Sequence, residues 1–134
     1  MAKLSEIEGI GESYAVRLKE AGLRSINDLL KCGCESSGRR EIAAKTGIKE
    51  SLLLEWVNRA DLTRIKGVST QYADLLESAG VDSVPELAQR NVENLQAKMV
   101  ELNGQRKLVR KLPSVSQVRS WVEQARELPK VVRH

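Results

Sequence analysis

The sequence predicts an all-α protein made of two tandem repeats of a small helical unit, packed as one compact helical body. Residues 8–30 align with residues 66–88, which indicates an internal duplication. Apolar residues recur every three or four positions, as on one face of a helix, and no long stretch alternates with the period of two that a strand needs. The repeats are expected to span residues 1–61 and 62–134, with an insertion in the second repeat near residues 99–115.

The duplication is carried by glycines, aromatic residues and helix ends. The paired positions are Gly9 and Gly67, Tyr14 and Tyr72, Leu18 and Leu76, and Ala21-Gly22 and Ala79-Gly80. Trp56 in "WVNRADL" pairs with Trp121 in "WVEQAREL", and this wider spacing places the insertion before Trp121. The tyrosines and tryptophans fall on apolar helical stripes, so we expect them in the core.

In each repeat the first helix follows a glycine turn. Gly22 and Gly80 are predicted to end these helices, because glycine adopts the left-handed cap conformation at little cost. The next helices are predicted to begin at two capping patterns, Ser25-x-x-Asp28 and Ser83-x-x-Glu86.

The later helices are predicted from apolar stripes. The stripes cover residues 52–60, residues 92–102 up to Asn103-Gly104, and residues 118–125 after the cap Ser114-x-x-Gln117. The stretch from Ser36 to Arg40, in "SSGRRE", has the composition of a flexible loop.

The composition indicates a globular protein and offers little for catalysis. Apolar residues make up 41% and charged residues 30% of the chain. No apolar run approaches the ~18 residues of a membrane span, and the N-terminus lacks the apolar core of a secretory signal, so we expect a cytoplasmic protein without membrane contact. Cys32 and Cys34 are expected to be free thiols. The one histidine is His134, so no metal site, no cofactor and no enzymatic activity are expected.

Positive charge is concentrated in the second repeat. Residues 1–61 contain ten Lys or Arg against ten Asp or Glu, whereas residues 62–134 contain twelve against eight, a net charge of +4. Because an excess of cations draws polyanions by counterion release, the second repeat is the better candidate for binding nucleic acid.

The strongest basic cluster is "GQRKLVRKLP", residues 104–113. If this cluster is helical, four cations share one helix face and can contact several phosphates: Arg106, Lys107, Arg110 and Lys111. The alternative is an ordinary solvated helix face.

The pattern "IEGIGESYAVRLKEAG", residues 7–22, resembles a helix-hairpin-helix motif. Each unit is similar to the small SAM-like helical domain at the N-terminus of archaeal and eukaryotic recombinases, with "AAKTGIKESLLLEWV", residues 43–57, as its degenerate second hairpin. Nearly the whole chain also resembles a bacterial family of duplicated helix-hairpin-helix proteins catalogued as a domain of unknown function, through stretches such as "GRREIAAKTGI" and "YADLLESAGVDSVPELAQRN". The resemblance implies the fold and, by analogy, contact with duplex DNA backbone without sequence reading.

The first glycine turn, residues 8–12, has a backbone suited to a phosphate. Gly9, Ile10 and Gly11 expose N–H groups where a helix begins, and that end of a helix carries partial positive charge. Glu8 and Glu12 flank the turn, however, and their carboxylates repel a phosphate.

The second glycine turn, residues 66–70, is expected to bind a phosphate better. Lys66 replaces Glu8, Thr70 replaces Glu12 and Ser69 replaces Gly11, while Gly67 and Val68 keep the turn itself. A cation and two hydroxyls then surround the backbone N–H groups. The alternative is that both turns are structural, with glycines that permit helix packing.

Two functions remain open at this stage. The first is a non-enzymatic protein that contacts the backbone of double-stranded DNA through the second glycine turn and the basic cluster. The second is an adaptor that binds an unidentified protein, because the first repeat is neutral and has acidic residues at its turn. The near absence of exposed rings argues against a platform for single strands.

Overall fold

The computed structural model describes residues 4–7, 9–106, 109–129 and 131–132, and these residues contain helices and turns but no strand. After a short 3₁₀ turn at Leu4–Glu6, the helices in this part of the chain are α1 (Gly11–Glu20), α2 (Ile26–Gly33), α3 (Ser36–Thr46), α4 (Glu50–Leu62), α5 (Thr70–Ser78), α6 (Val84–Ala88), α7 (Val92–Arg106) and α8 (Val115–Glu127). The all-α prediction is confirmed.

The chain divides into two compact units, each with its own hydrophobic core. The first unit is Met1–Asp61 together with Val131–His134, and the second is Leu62–Lys130. Val132, which is 5% exposed, packs into the core of the first unit although the repeat analysis counted it with the second repeat.

The helix ends of the first unit form as the sequence predicts. Gly22 follows α1 with a φ of +93°, and the N–H of Leu23 then reaches back to the carbonyl of Leu18 at 2.9 Å. This is the arrangement that satisfies the last carbonyl groups of a helix. Ser25 begins α2, because its hydroxyl oxygen accepts the N–H of Asp28 at 3.1 Å.

The second unit has the same helix ends at the equivalent positions. Gly80 follows α5 with a φ of +93°, and the N–H of Val81 donates to the carbonyl of Leu76 at 2.9 Å. Ser83 caps α6 by accepting the N–H of Glu86 at 3.3 Å. The predicted cap of α8 is present too, with hydrogen bonds in both directions between Ser114 and Gln117.

The tryptophans occupy the cores, as expected. Trp56 and Trp121 are each 1% exposed. The ring of Tyr14 lies 5.1 Å from that of Trp56, and the ring of Tyr72 lies 5.2 Å from that of Trp121. Both tyrosines are half-buried and pack against the core of their own unit.

The prediction of a flexible loop from Ser36 to Arg40 is wrong, because Ser36 begins helix α3. Arg39 is buried, 4% exposed, and its Nη1 donates to the carbonyl oxygen of Gly33 at 2.8 Å, at the end of α2. Gly38 allows the close contact between α3 and α2. A Cβ atom on Gly38 would lie 2.0 Å from the carbonyl oxygen of Cys32, so glycine is what lets α3 pass so close to α2.

Candidate nucleic-acid interface

The glycine turns rest on the buried tryptophans. Gly67 has a φ of +96°, and a Cβ atom there would lie 2.9 Å from Nε1 of Trp121. In the first unit Gly9 has a φ of +92°, and its Cβ would lie 3.3 Å from Nε1 of Trp56. The first glycine of each turn is therefore favoured by its backbone conformation, and packing on an indole ring adds a close contact that is tighter at Gly67 than at Gly9, whatever the turn binds.

The first glycine turn leads into α1 without a side-chain cap. Ile10 is the N-cap residue, is 1% exposed and packs in the core, while Gly9 and Gly11 are exposed. Glu12 lies in the first turn of α1 and is exposed. Glu8 lies outside the described residues. The prediction that Ile10 offers its N–H to a phosphate is wrong, because this N–H donates to the carbonyl of Ile7 at 3.1 Å. The first turn of α1 still carries N–H groups, but an exposed carboxylate stands beside them.

The second glycine turn leads into α5 with a side-chain cap. The hydroxyl oxygen of Ser69 accepts the N–H of Tyr72 at 3.2 Å, and helix α5 begins at Thr70. The first turn of α5 contains no acidic residue. Of the residues predicted for this site, Lys66, Gly67 and Ser69 are exposed and Thr70 is half-buried, but Val68 is 5% exposed and belongs to the core.

Gln124, on α8, holds the main chain of the second glycine turn. Its Oε1 accepts the N–H of Lys66 at 2.9 Å, and its Nε2 donates to the carbonyl oxygen of Lys66 at 3.2 Å. The side chain of Lys66 is exposed beyond this double hydrogen bond. The main chain at Lys66 is therefore held by a residue that follows it by fifty-eight positions.

The basic cluster, residues 104–113, is not one continuous helix, so the shared cationic face expected for a helical cluster does not form. Helix α7 runs past Asn103 and Gly104 and ends at Arg106, while residues 109–113 are non-helical. Lys107 lies outside the described residues. The side-chain amide of Asn103 holds the main chain of Val109, because it accepts the N–H of Val109 at 2.9 Å and donates to its carbonyl at 3.1 Å.

Residues 109–113, here named the basic segment, are held by side chains of two helices. Besides Asn103, Gln96 on α7 donates to the carbonyl of Pro113 at 3.2 Å. The hydroxyl of Tyr72 on α5 donates to the carbonyl of Lys111 at 2.8 Å. Val109 and Pro113 are buried at the two ends of the segment, whereas Arg110 and Lys111 are exposed.

The hydrogen bond from Tyr72 brings the basic segment to the second glycine turn. The same Tyr72 donates its main-chain N–H to Ser69, so Lys111 lies beside the first turn of α5. Tyr72 thus connects the main chain of Lys111 to the helix that the second glycine turn begins, although Lys66 and Lys111 are forty-five residues apart in the sequence. Cations close together strengthen the local field that attracts a polyanion.

Two residues of this region escaped the sequence analysis. Tyr72 was assigned to the core for its ring, and nothing in its neighbourhood indicates where its hydroxyl donates. Gln124 aligns with Arg59 at the spacing that pairs Trp121 with Trp56. Arg59 also lies beside the glycine turn of its own unit, with Nη1 3.7 Å from a Cβ placed on Gly9. The alignment therefore paired two residues that both lie at a glycine turn, although the sequence alone did not show this.

Other features of the described residues give no competing site. The described part of the chain contains no group of three or more His, Cys, Asp or Glu side chains that could hold a metal ion. None of its helices combines the length and the apolar character that crossing a membrane requires. Cys32 and Cys34 are free thiols, as expected. One cavity of the first unit, of about 590 Å³, is an open groove lined by residues that include Arg17, Glu20 and Lys45.

The fold and these contacts define a small all-helical protein with two units that share the packing of a glycine turn on a tryptophan. The chain belongs to the family described as Domain of unknown function (DUF4332), whose family model matches residues 8–128. Searches of curated proteins and of solved structures gave no match.

Proposed function

We propose that this protein is a non-enzymatic DNA-binding protein that contacts the backbone of duplex DNA through its second unit, without sequence preference. The observation that carries the proposal is the 2.8 Å hydrogen bond from the Tyr72 hydroxyl to the Lys111 carbonyl. It joins the basic segment to α5, the helix that follows the turn with Lys66, and this supports the proposal that the two basic stretches act as one cationic surface.

In this proposal each unit is a helix-hairpin-helix repeat, and the second glycine turn is the working hairpin. The first N–H groups of a helix have no partner within it. At α5, Ser69 satisfies the N–H of Tyr72 with its side chain and that of Ala73 with its carbonyl. The N–H groups of Thr70 and Gln71 come before these two and face the end of the helix that favours an anion.

The charged groups around the turn supply the rest of the attraction. Lys66 and Lys111 carry exposed ammonium groups, Arg110 carries an exposed guanidinium, and Ser69 and Thr70 carry hydroxyls that can donate to a phosphate oxygen. Binding of these cations to phosphates releases counterions from DNA, which is the main source of sequence-independent affinity. The first turn lacks this set, because Glu12 stands where Thr70 stands in the second unit.

The internal hydrogen bonds favour backbone contact over base reading. Amides of Asn and Gln are the side chains that read adenine edges. Near this surface three of them, Gln96, Asn103 and Gln124, are engaged with the protein's own main chain, whereas Gln71 is exposed. Single-stranded partners are disfavoured, because base stacking needs exposed rings and both tryptophans are buried.

The adaptor function has one observation in its favour, on the first unit. Val16 is 53% exposed on α1 and lies one helical turn from Glu12 and from Glu20, which are exposed as well. This face suits a protein partner with an apolar contact and cations around it. The adaptor reading gains if a nuclease-treated pull-down recovers a stoichiometric protein with wild type and loses it with Val16→Ser.

The test of DNA binding is fluorescence anisotropy on a 20-base-pair duplex over a series of salt concentrations. The variant Lys66→Glu/Arg110→Glu/Lys111→Glu reverses three cations of the surface. Loss of about three phosphate contacts makes the negative slope of log affinity against log salt shallower by about 2.7, at ~0.9 per contact. We expect two duplexes of unrelated sequence to bind equally, and the matching single strand to bind more weakly.

The matched control is Lys19→Glu/Lys31→Glu/Lys49→Glu, which makes the same change of net charge at exposed lysines of the first unit. We expect this control to keep a slope close to that of wild type. The salt series begins at about 50 mM, where binding to phosphates is strongest. Absence of binding by wild type at this lowest concentration overturns the proposal. An equal loss of affinity in the two triple variants also overturns it.

A further inference from the structure

Side chains from the body of the second unit fix the main chain at both cationic stretches. Gln124 holds the N–H and the carbonyl of Lys66, and its Nε2 also donates to the hydroxyl oxygen of Ser120 at 3.2 Å, which orients the amide. Tyr72 holds the carbonyl of Lys111 at 2.8 Å. In neither case does the holding side chain carry a charge that could itself attract a phosphate.

The two holding residues are themselves well anchored. The ring of Tyr72 packs 5.2 Å from that of Trp121, which is 1% exposed and cannot easily move. Gln124 lies on α8, one helical turn from Ser120 and three residues after Trp121. Deletion of either polar group leaves this packing in place, since neither the phenol oxygen nor the amide forms part of the core.

We propose that Tyr72 and Gln124 are positioning residues, which hold the main chain at Lys111 and at Lys66 in the arrangement that meets the DNA backbone. This inference rests on the proposed function. A pre-ordered surface loses less conformational freedom on binding than a mobile one, so the same cations bind more tightly. Without the Tyr72 hydroxyl, the basic segment keeps its charges and its hydrogen bonds to Gln96 and Asn103, but the main chain at Lys111 loses its contact with α5.

The experiment is a pair of double-mutant cycles measured by anisotropy on the same duplex at low salt. Tyr72→Phe keeps the ring and deletes only the hydroxyl, and we expect affinity to fall roughly three- to tenfold, as the loss of one net hydrogen bond allows. Gln124→Met keeps the length of the side chain and the helix, and the same range is expected. Tyr14→Phe, the equivalent change in the first unit, is the control and is expected to leave affinity unchanged.

The cycles separate positioning from a general loss of structure. In the Arg110→Glu/Lys111→Glu background, Tyr72→Phe should have no further effect on affinity. In the Lys66→Met background, Gln124→Met should have none, because each positioning residue acts through its own cation. Additive losses in these backgrounds overturn the inference. The inference is also overturned if Tyr72→Phe and Gln124→Met both bind with wild-type affinity while the triple charge-reversal variant binds weakly. That result leaves the DNA-binding proposal standing. Absence of binding by wild type overturns both.

Discussion

Substitution of Gly67 by alanine is expected to destabilise the second unit by about 2–4 kcal/mol. The φ of +96° costs an L-residue about 1–2 kcal/mol. A Cβ atom 2.9 Å from Nε1 of Trp121 adds the cost of overpacking, about 1–3 kcal/mol, because the indole is 1% exposed and has no room to retreat. The lower entropy of the unfolded alanine chain offsets about 0.4–1 kcal/mol of this sum.

The assay is urea unfolding followed by far-ultraviolet circular dichroism, with two control variants. Gly22→Ala has nearly the same φ, +93°, but its Cβ meets nothing within 4 Å, so it reports the backbone cost alone. Gly104→Ala lies inside α7 with open space around it and is expected to stabilise by about 0.5–1 kcal/mol. If Gly67→Ala costs no more than Gly22→Ala, the packing of the turn on Trp121 is not what requires glycine.

Two further predictions concern the contact between α2 and α3. Gly38→Ala, although it improves helix propensity, is expected to cost more than about 3 kcal/mol in the same unfolding assay, because its Cβ would lie 2.0 Å from the carbonyl oxygen of Cys32. A stabilised Gly38→Ala variant would contradict this close crossing. Arg39→Met keeps the apolar stem but removes the hydrogen bond to the Gly33 carbonyl, so the free energy of unfolding is expected to fall by about 1.5–3 kcal/mol. An unchanged unfolding midpoint would show that the buried guanidinium does not support the end of α2.

The repeat made much of the fold predictable from sequence. Glycines after α1 and α5, and serines before α2 and α6, are local signals, because a cap or a left-handed turn is decided within a few residues. These elements formed at the positions that the alignment indicated. The alignment also placed the two tryptophans correctly in the cores.

The errors occurred where side chains or main chain of a neighbouring element decide the conformation. Ser36 to Arg40 has the composition of a loop, but Arg39 is stabilised by the end of α2 and Gly38 is a point of close helix packing, and neither contact has a local signature. The basic segment has the composition of an amphipathic helix. Its main-chain groups instead form hydrogen bonds with side chains, Val109 with the amide of Asn103 and Lys111 with the hydroxyl of Tyr72. Apolar periodicity alone carries no information about such partners.

The candidate site was predictable in part. The exchange of Glu8 for Lys66 and of Glu12 for Thr70 directs attention to the second unit from sequence alone. The proximity of Lys111 to that turn depends on a hydrogen bond across thirty-nine residues, which only the folded chain reveals.

The central claim is that the second glycine turn and the basic segment bind DNA together as one surface. Titration of a ¹⁵N-labelled sample with the 20-base-pair duplex, followed by ¹H–¹⁵N NMR, tests it at the level of single residues. We predict that amide signals of residues 66–71 and of residues 109–111 shift together with one affinity, and that those of residues 9–13 in the first glycine turn shift far less. Shifts confined to the first glycine turn, or different affinities for the two stretches of the second unit, would contradict the claim.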